Sequence, residues 1–177
     1  MSLNSHQLRK THPRLAKIIS NQTKKQEIVL VLDNVLDTYN IGSFFRLADA
    51  IGAKKIYLCG PCVTPPNIKI HRASIGTWKF VPWEHFDNTL DCVKKLRSNG
   101  YFLTACEQSN RSVLFNIANY KSPFALILGS EVNGVSQEVL KQVDQTVEIP
   151  MFGVNHSLNV LVAASVISYQ FLTYPSK

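Results

Sequence analysis

The sequence predicts an α/β fold in which a mostly parallel sheet carries helices on both faces. Segments typical of strands and of helices alternate along most of the chain. Several of the strand segments are continuous apolar runs, as expected for strands buried on both faces. Unusual polar loops follow three of these strands, and in a parallel sheet such loops meet beyond the carboxyl ends, where ligands bind. The 177 residues are 45% hydrophobic, enough for one domain with its own core.

The chain is basic, with a formal net charge of +7 and a pI near 9.3. This charge favours a polyanionic partner without separating RNA, DNA and a membrane surface. No apolar run is long enough to span a bilayer, and the N-terminus lacks the apolar core of a signal peptide. We therefore expect a cytoplasmic protein with no membrane association.

Two of the four cysteines form a C-x-x-C pair, Cys59 and Cys62. In thioredoxin-like sites the second cysteine lies in a helix whose N-terminus lowers the pKa of the first thiol. Here Val63, Thr64 and two prolines follow, and they cannot begin a helix. We favour a structural role for the pair and keep a redox protein as an alternative. Because no second C-x-x-C pair is present, we expect no metal site.

Residues 1–26 are interpreted as a basic arm ahead of a domain spanning residues 27–177. The arm has no acidic residue and six basic ones: Arg9, Lys10, Arg14, Lys17, Lys24 and Lys25. A weak helical stripe around Pro13 predicts a short helix that docks on the body or on nucleic acid. A solvated tail is an equal alternative.

The first half of the domain is predicted to begin with a βαβ unit. It comprises a strand at residues 27–32, a polar loop at 33–39, a turn and cap at 40–42, a helix at 43–51 and a strand at 55–59. Neither a dinucleotide fingerprint nor a P-loop is present. We then expect a long loop at 64–77, a strand at 78–82 and a helix at 87–99.

The second half is predicted to continue the alternation. Strands are expected at residues 101–106, 124–128 and 146–149, with a less regular connection at 111–120 and a helix at 136–143. A final apolar helix begins at Ser157, whose hydroxyl suits an N-cap. It is apolar nearly all round, so we expect it to be buried on two sides. Asn159, one turn into this helix, needs a hydrogen-bond partner there.

Three loop motifs stand out by their order and spacing. Residues 40–46 read N-I-G-S-F-F-R, residues 128–134 read L-G-S-E-V-N-G, and residues 149–160 read I-P-M-F-G-V-N-H-S-L-N-V. Together they resemble the signature motifs of the SpoU (TrmH-like) branch of the SPOUT RNA methyltransferases. The resemblance covers residues 27–171, with Leu161 bulkier than is usual after the third motif.

The resemblance implies 2′-O-methylation of a ribose in RNA with S-adenosylmethionine, a homodimer and a C-terminal deep trefoil knot. We expect Arg46 to stabilise the developing alkoxide, since a guanidinium normally keeps its proton. Its alternative is a simple pair with Asp49. Asn40, Glu131, Ser157 and Asn159 would form the polar network around it, although each also has a structural explanation as a cap or turn residue.

The resemblance also implies where the ligands bind. The cofactor residues would be Leu128, Gly129, Ile149, Met151, Ser157 and Leu158, with Gly129 allowing close approach. We assign RNA contacts to Arg9, Lys10, Arg14, Lys69, His71 and Arg72, because they carry groups able to bind phosphates. Transfer RNA is favoured over ribosomal RNA, which remains an alternative. A catalytically inactive RNA-binding module is the alternative from another functional class.

Overall fold

Seven strands form a single parallel sheet in a computed structural model that describes residues 3–174. They are β1 (Gln26–Asp33), β2 (Ala53–Cys59), β3 (Trp83–Phe86), β4 (Phe102–Cys106), β5 (Val113–Leu114), β6 (Phe124–Gly129) and β7 (Gln145–Glu148). Their order across the sheet is β3-β2-β1-β6-β4-β7-β5, and neighbouring strands run parallel. The predicted α/β class with a parallel sheet is confirmed.

Helices connect and cover these strands. They are α1 (Ser5–Lys10), α2 (Pro13–Gln22), α3 (Thr38–Ala50), α4 (Ile68–Ala73), α5 (Thr89–Ser98), α6 (Gln137–Leu140) and α7 (Val160–Thr173), with a 3₁₀ helix at Thr77–Lys79. Within residues 3–174 we find no helix with both the length and the apolarity that a membrane crossing requires.

Both faces of the central strand β1 are buried, which explains its continuous apolar run. Ile28, Leu30 and Leu32 share one core with residues of α3 and α7, whereas Val29 and Val31 share a second core with residues of α5. Leu161, the bulkier residue of α7, is half-buried and packs against the first core. The expectation of helices on both faces of the sheet therefore holds.

Helix α3 begins earlier than predicted. Asp37 is its N-cap and accepts a hydrogen bond from the Tyr39 backbone N–H at 2.7 Å. Asn40 and Gly42 therefore lie inside the first turns, and the predicted turn and cap at 40–42 is wrong. Gly42 serves packing instead, because a Cβ there would lie 2.5 Å from the Cβ of Ala73. The glycine lets α3 and α4 approach closely.

The segment predicted as a long loop at residues 64–77 contains α4 and the start of the 3₁₀ helix. Asn67 caps α4 by accepting hydrogen bonds from the backbone N–H groups of residues 69 and 70. The strand predicted at 78–82 is also wrong, since β3 begins at Trp83. Phe80 and Val81 are buried in the turn before β3, so their apolar character reflects packing and not a strand.

Most of the other boundaries differ little from the prediction. Helix α5 starts two residues later than expected, after the N-cap Asn88, and α6 is only four residues long. The irregular connection at 111–120 contributes the short edge strand β5. Element ends are set by capping and tertiary contacts, which periodicity alone does not locate.

The N-terminal arm packs on the body of the protein. The Lys79 ammonium donates hydrogen bonds to the backbone carbonyls of Arg9 and Thr11, both at 2.8 Å. In α2, Ala16 and Ser20 are buried. Gly76 lies so close to the arm that a Cβ on it would sit 2.8 Å from the Leu8 carbonyl oxygen. Residues 5–22 therefore dock on the body of the protein, as one of the two alternatives predicted, and they do not form a solvated tail.

The C-x-x-C pair has the environment of structural thiols. Cys59 and Cys62 are both buried and reduced, and the Cys62 thiol donates to the Cys59 carbonyl oxygen at 3.1 Å. Hydrogen bonding with Cys92, together with burial, raises the pKa of Cys59. Burial raises the pKa of Cys62 to about 12. A redox centre needs an accessible thiolate, so the redox alternative finds no support here.

We expect Cys59 and Cys62 to resist iodoacetamide at pH 8 in the folded protein. Both pKa values are raised, so the reactive thiolate is scarcer than in a free cysteine of pKa about 8.5. Mass spectrometry of the peptides, with the denatured protein as the control, measures the modification. Equal rates in folded and denatured protein would contradict this account of the pair.

Candidate functional site

A cavity of about 670 Å³ opens at the carboxyl ends of β4, β6 and β7, beside the start of α7. This is the edge of a parallel sheet where ligands are expected. Its volume lies within the range of small-molecule sites, roughly 300–1,000 Å³. The wall is contributed by residues 106–108, 128–134, 148–149, 151 and 155–160, together with Ala163. Two of the three sequence motifs therefore meet at one place.

The loop after β6 returns sharply on itself. Ser130 and Gly134 form an antiparallel bridge, and Gly134 has a φ of +64°. A Cβ on Gly129 would overlap the backbone of Gly134 and Val135. This return of the chain requires glycine at Gly129, in addition to the close approach of the cofactor that the resemblance implies. The residue still lines the cavity.

Asp33, at the end of β1, anchors this loop to the sheet. Its side chain is fully buried, and one carboxylate oxygen accepts from the Thr89 hydroxyl at 2.6 Å and from the Asn34 amide at 2.8 Å. The other oxygen accepts from the Ser136 backbone N–H at 2.8 Å. A buried carboxylate is tolerated when it is hydrogen-bonded in this way. One side chain thereby connects β1, α5 and the loop after β6.

Glu107, directly after β4, anchors the same loop from the other side. Its carboxylate accepts from the Val135 backbone N–H at 2.8 Å and from the Gln108 backbone N–H at 3.0 Å. The Gln108 amide in turn donates to the His156 carbonyl at 2.9 Å, which connects the loops after β4 and β7. Sequence analysis missed Asp33, Glu107 and Gln108. Their position immediately after apolar strands was the available signal.

A chain of side-chain hydrogen bonds connects the three motifs. The Asn40 amide donates to Glu131 at 2.6 Å, and the Asn159 amide donates to the Asn40 carbonyl oxygen at 3.2 Å. A carboxylate can only accept, so the Asn40 nitrogen must face Glu131 and its oxygen is left for Asn159. The Asn159 oxygen accepts from the Leu161 backbone N–H at 2.9 Å. Three of the predicted catalytic residues are thus brought together.

Asn159, and not Ser157, is the N-cap of α7. The helix begins at Val160, so Asn159 does not lie one turn inside it as predicted. Ser157 is exposed in the preceding loop, where its backbone N–H donates to Asn155 at 3.3 Å. Both residues line the cavity. The sequence offers two good capping residues two positions apart, and the side chain that also reaches Asn40 is the one that caps.

Arg46 lies apart from this group. It is exposed on α3 and does not line the cavity. It lies six positions after Asn40 in α3, so it is turned about 120° around the helix axis and displaced about 9 Å along the axis from Asn40. Among residues 3–174, no salt bridge includes Arg46, so the alternative pair with Asp49 is not formed. The guanidinium is available to a group outside this chain.

The residues assigned to the cofactor all line the one cavity: Leu128, Gly129, Ile149, Met151, Ser157 and Leu158. Within the described part of the chain, no group of three or more His, Cys, Asp and Glu side chains could hold a metal ion. Polar side chains make up about half of the residues that line the cavity, and apolar side chains and glycines supply the rest. This mixture suits an organic ligand that has both apolar and polar parts.

The residues assigned to RNA contacts lie on the arm and on α4. Arg9, Lys10, Arg14, Lys69 and Arg72 are exposed. His71 differs, because its Nδ1 accepts a hydrogen bond from the Trp78 indole N–H at 3.1 Å. Burial, Lys79 and Arg9 all lower the pKa of His71, which favours the neutral ring. In that form it can offer a hydrogen bond to a phosphate through Nε2.

Comparisons with known proteins agree with these motifs. A sequence model of the SpoU rRNA methylase family matches residues 27–169. The chain is 31% identical over 164 residues to a tRNA (guanosine(18)-2′-O)-methyltransferase of Aquifex aeolicus, covering 92% of this chain and 76% of the relative. A TrmH family relative from Staphylococcus saprophyticus is 32% identical, with 82% of this chain and 58% of that protein covered.

Solved structures share the fold. The AdoMet-bound rRNA methyltransferase from Sinorhizobium meliloti superposes with a TM-score of 0.80 at 27% identity, covering 96% of this chain and 61% of that one. The TrmH/SpoU tRNA modifying enzyme of A. aeolicus superposes with a TM-score of 0.79 at 30% identity, covering 89% and 80%. The chain thus spans about six tenths of the length of some relatives and more of others.

Replacing Asp33 by Asn should lower the free energy of unfolding by about 1–3 kcal/mol. The amide has one acceptor oxygen where the carboxylate has two, so the half-buried Ser136 N–H or the buried Thr89 hydroxyl loses its partner. Urea denaturation followed by circular dichroism measures the change. Asp87→Asn is the matched control, since its side chain is fully exposed and a change within about 0.5 kcal/mol is expected. Equal effects in the two variants would contradict the anchoring role.

Proposed function

The chain belongs to the SpoU rRNA methylase family, and on that premise we propose that it is an S-adenosylmethionine-dependent RNA 2′-O-ribose methyltransferase. The main support for this proposal is that residues from all three motifs lie together at one edge of the sheet. The hydrogen bonds among Asn40, Glu131 and Asn159 place polar groups from α3, the β6 loop and α7 beside a cavity of cofactor size.

The residues of the cavity suit S-adenosylmethionine. Leu128, Ile149 and Leu158 offer apolar walls for an adenine ring, while Glu131 and Ser157 offer polar groups to the rest of the molecule. When bound, the cofactor supplies an electrophilic methyl group on a sulfonium. The tight return at Gly129 and the anchor at Glu107 hold the β6 loop in place before any ligand arrives. A site whose loops are already ordered loses less binding free energy to the ordering of those loops when the ligand binds.

In the proposed reaction, the ribose 2′-oxygen would bond to the methyl carbon while the carbon–sulfur bond breaks, with S-adenosylhomocysteine as the product. The hydroxyl proton would pass to a phosphate of the RNA or to water. We assign the Asn40, Glu131 and Asn159 group to holding the ribose and Arg46 to stabilising the negative charge that develops on its oxygen. These roles are carried over from the family motifs.

A homodimer with shared sites is part of the proposal. Arg46 is exposed and does not line the cavity of its own chain, which supports a dimer in which a second copy supplies a guanidinium to each cavity. The outer face of α7 offers a contact surface, since Val162 and Tyr169 are about half exposed, at 47% and 50%. They are seven residues apart and share one side of the helix.

A trefoil knot at the C-terminus is also proposed from the family. After β7, near one edge of the sheet, the chain returns to pack α7 against α3 and β6, which lie nearer the centre. On the way, residues 149–159 contact the β4 loop through the Gln108 and His156 hydrogen bond. A knot requires one segment of the chain to pass through a loop formed by another. The path of residues 149–159 beside the β4 loop supports such an arrangement.

The proposed substrate is a structured RNA in the cytoplasm, with transfer RNA favoured over ribosomal RNA. The Aquifex relative is named a tRNA methyltransferase, whereas the Sinorhizobium structure is named an rRNA methyltransferase. The basic arm and α4 would supply affinity through phosphate contacts. We retain the division into an arm at residues 1–26 and a methyltransferase domain at 27–177 as a proposal.

Purified protein should transfer a labelled methyl group from S-adenosylmethionine to ribose 2′-oxygens of RNA from cells that lack it. Asn40→Ala should lower this rate about 100-fold, because the ribose and Glu131 lose their common partner. Asn99→Ala, at an exposed helix end, is the matched control and should leave the rate unchanged. Alkali-resistant dinucleotides identify the methylated position. RNA binding without methyl transfer or S-adenosylhomocysteine binding would favour the inactive RNA-binding module.

The shared site predicts complementation between two inactive variants. Arg46→Ala removes the cation, and Ser157→Trp fills the cavity from an exposed loop while sparing the Gly129 return. When they are mixed, unfolded and refolded, heterodimers regain one intact site of two, and about a quarter of wild-type activity is expected from random pairing and symmetry. Native mass spectrometry verifies mixed dimers. Mixed dimers with no activity would show that Arg46 serves its own chain.

A further inference from the structure

A second, smaller depression lies away from the proposed methyl-transfer site. It has a volume of about 270 Å³ and is lined by Pro66, Asn67, Ile68, His71 and Trp78. None of these residues lines the larger cavity. We call it the Trp78 notch. Ile68 at its rim is 64% exposed, although an isoleucine gains free energy from burial.

The notch is surrounded by positive charge. Residues 1–26 and residues 60–83 contain no acidic residue, yet they hold nine of the 19 lysines and arginines of the chain. The Lys79 hydrogen bonds to the Arg9 and Thr11 carbonyls bring these two segments together. Lys69 and Arg72 project from the same short helix that supplies Ile68 and His71. A polyanion is the complementary partner for such a surface.

The aromatic pair in the notch is held in a fixed arrangement. The Trp78 indole N–H donates to His71 Nδ1 at 3.1 Å, and the two rings meet edge to face with centroids 6.5 Å apart. Because Nδ1 accepts, a neutral His71 carries its proton on Nε2. The notch therefore combines apolar walls, an aromatic ring and a neutral hydrogen-bond donor.

We propose that the Trp78 notch holds one unpaired base of the RNA while Lys69, Arg72 and the basic arm contact the flanking phosphates. Aromatic side chains inside a basic surface are how proteins bind single-stranded nucleotides. A free apolar ligand would need a larger and more enclosed site. The inference rests on the proposed function for its substrate class, but it assigns to the RNA a second point of contact outside the catalytic cavity.

Fluorescence of Trp78 provides a direct test. Trp78 and Trp83 are the two tryptophans of the chain, so Trp83→Phe leaves Trp78 as the sole indole. Adding single-stranded oligouridylate should quench its emission by stacking, whereas an RNA duplex or inorganic polyphosphate at equal ionic strength should not. Unchanged emission at saturating oligouridylate would overturn the proposal.

Affinity measurements separate stacking from charge. Trp78→Leu should weaken binding of oligouridylate about 5- to 150-fold, the range for loss of one stacked base, and Trp78→Phe should restore most of it. Neither change removes a cation, so the salt dependence should keep its slope, whereas Lys69→Ala should reduce the slope by about one. Equal affinity of the Leu and Phe variants would contradict a stacking role.

A pair of uncharged substitutions supplies the matched control. Ile68→Gln removes an apolar wall of the notch and should weaken binding several-fold, whereas Ile117→Gln changes an isoleucine that is 71% exposed elsewhere and should not. If no variant alters RNA affinity and Ile68→Gln instead abolishes self-association in sedimentation, the notch is a protein contact and the proposal is wrong.

The two proposals fail in different ways. Suppose that the protein binds S-adenosylhomocysteine and methylates RNA, but Trp78 emission does not respond to oligouridylate. That result overturns only the proposal for the Trp78 notch. If Trp78 emission is quenched, but the protein neither binds S-adenosylhomocysteine nor transfers methyl groups, the Trp78 notch is supported as a base-binding site. Only the proposed methyltransferase function is then overturned.

Discussion

The buried carboxylate of Asp33 is the constraint on which the arrangement of the site depends. It ends the central strand, and its backbone is paired with Cys59 on one side and Gly129 on the other. From this position it orders the start of α5 through Thr89 and the loop after β6 through Ser136. Without a carboxylate there, the Thr89 hydroxyl and the Ser136 N–H would compete for one acceptor or lose their partner, and the connection of the loop to the sheet would be weakened.

Around Asp33, the irregular loops are held in place by hydrogen bonds between side chains and backbone groups. Glu107 holds the β6 loop from the β4 side, and Gln108 extends the connection to the β7 loop. Gly129 allows the chain to return at van der Waals distance. The shape of the cavity is consequently set by hydrogen bonds within the protein and does not depend on a ligand. The side chains above it, Asn40, Glu131 and Asn159, can then hold defined orientations, because each hydrogen bond determines the direction of the next.

Apolar runs along the sequence predicted the class of fold and the parallel sheet, and the resemblance of the three loop motifs pointed to the residues that line the cavity. It misplaced features that depend on contacts distant in sequence. Ser157 and Asn159 both suit an N-cap, and only the hydrogen bond to Asn40, 119 residues away, separates them. Phe80 and Val81 resemble a strand because they are buried, although the chain turns there. The helix at residues 68–73 is too short to give a periodic signal.

Arg46 shows why one chain is incomplete under the proposed function. Under that function the cavity of one chain would hold a cofactor and orient a ribose, but among residues 3–174 no arginine or lysine lines it. Methyl transfer from a sulfonium to a hydroxyl develops negative charge on oxygen, and a nearby cation stabilises that charge in a low-dielectric site. The cation of the family motif is exposed, unpaired within residues 3–174 and turned away from Asn40. Under the proposed function, a residue so placed would act on the cavity of a second copy, and catalysis would then depend on dimerisation.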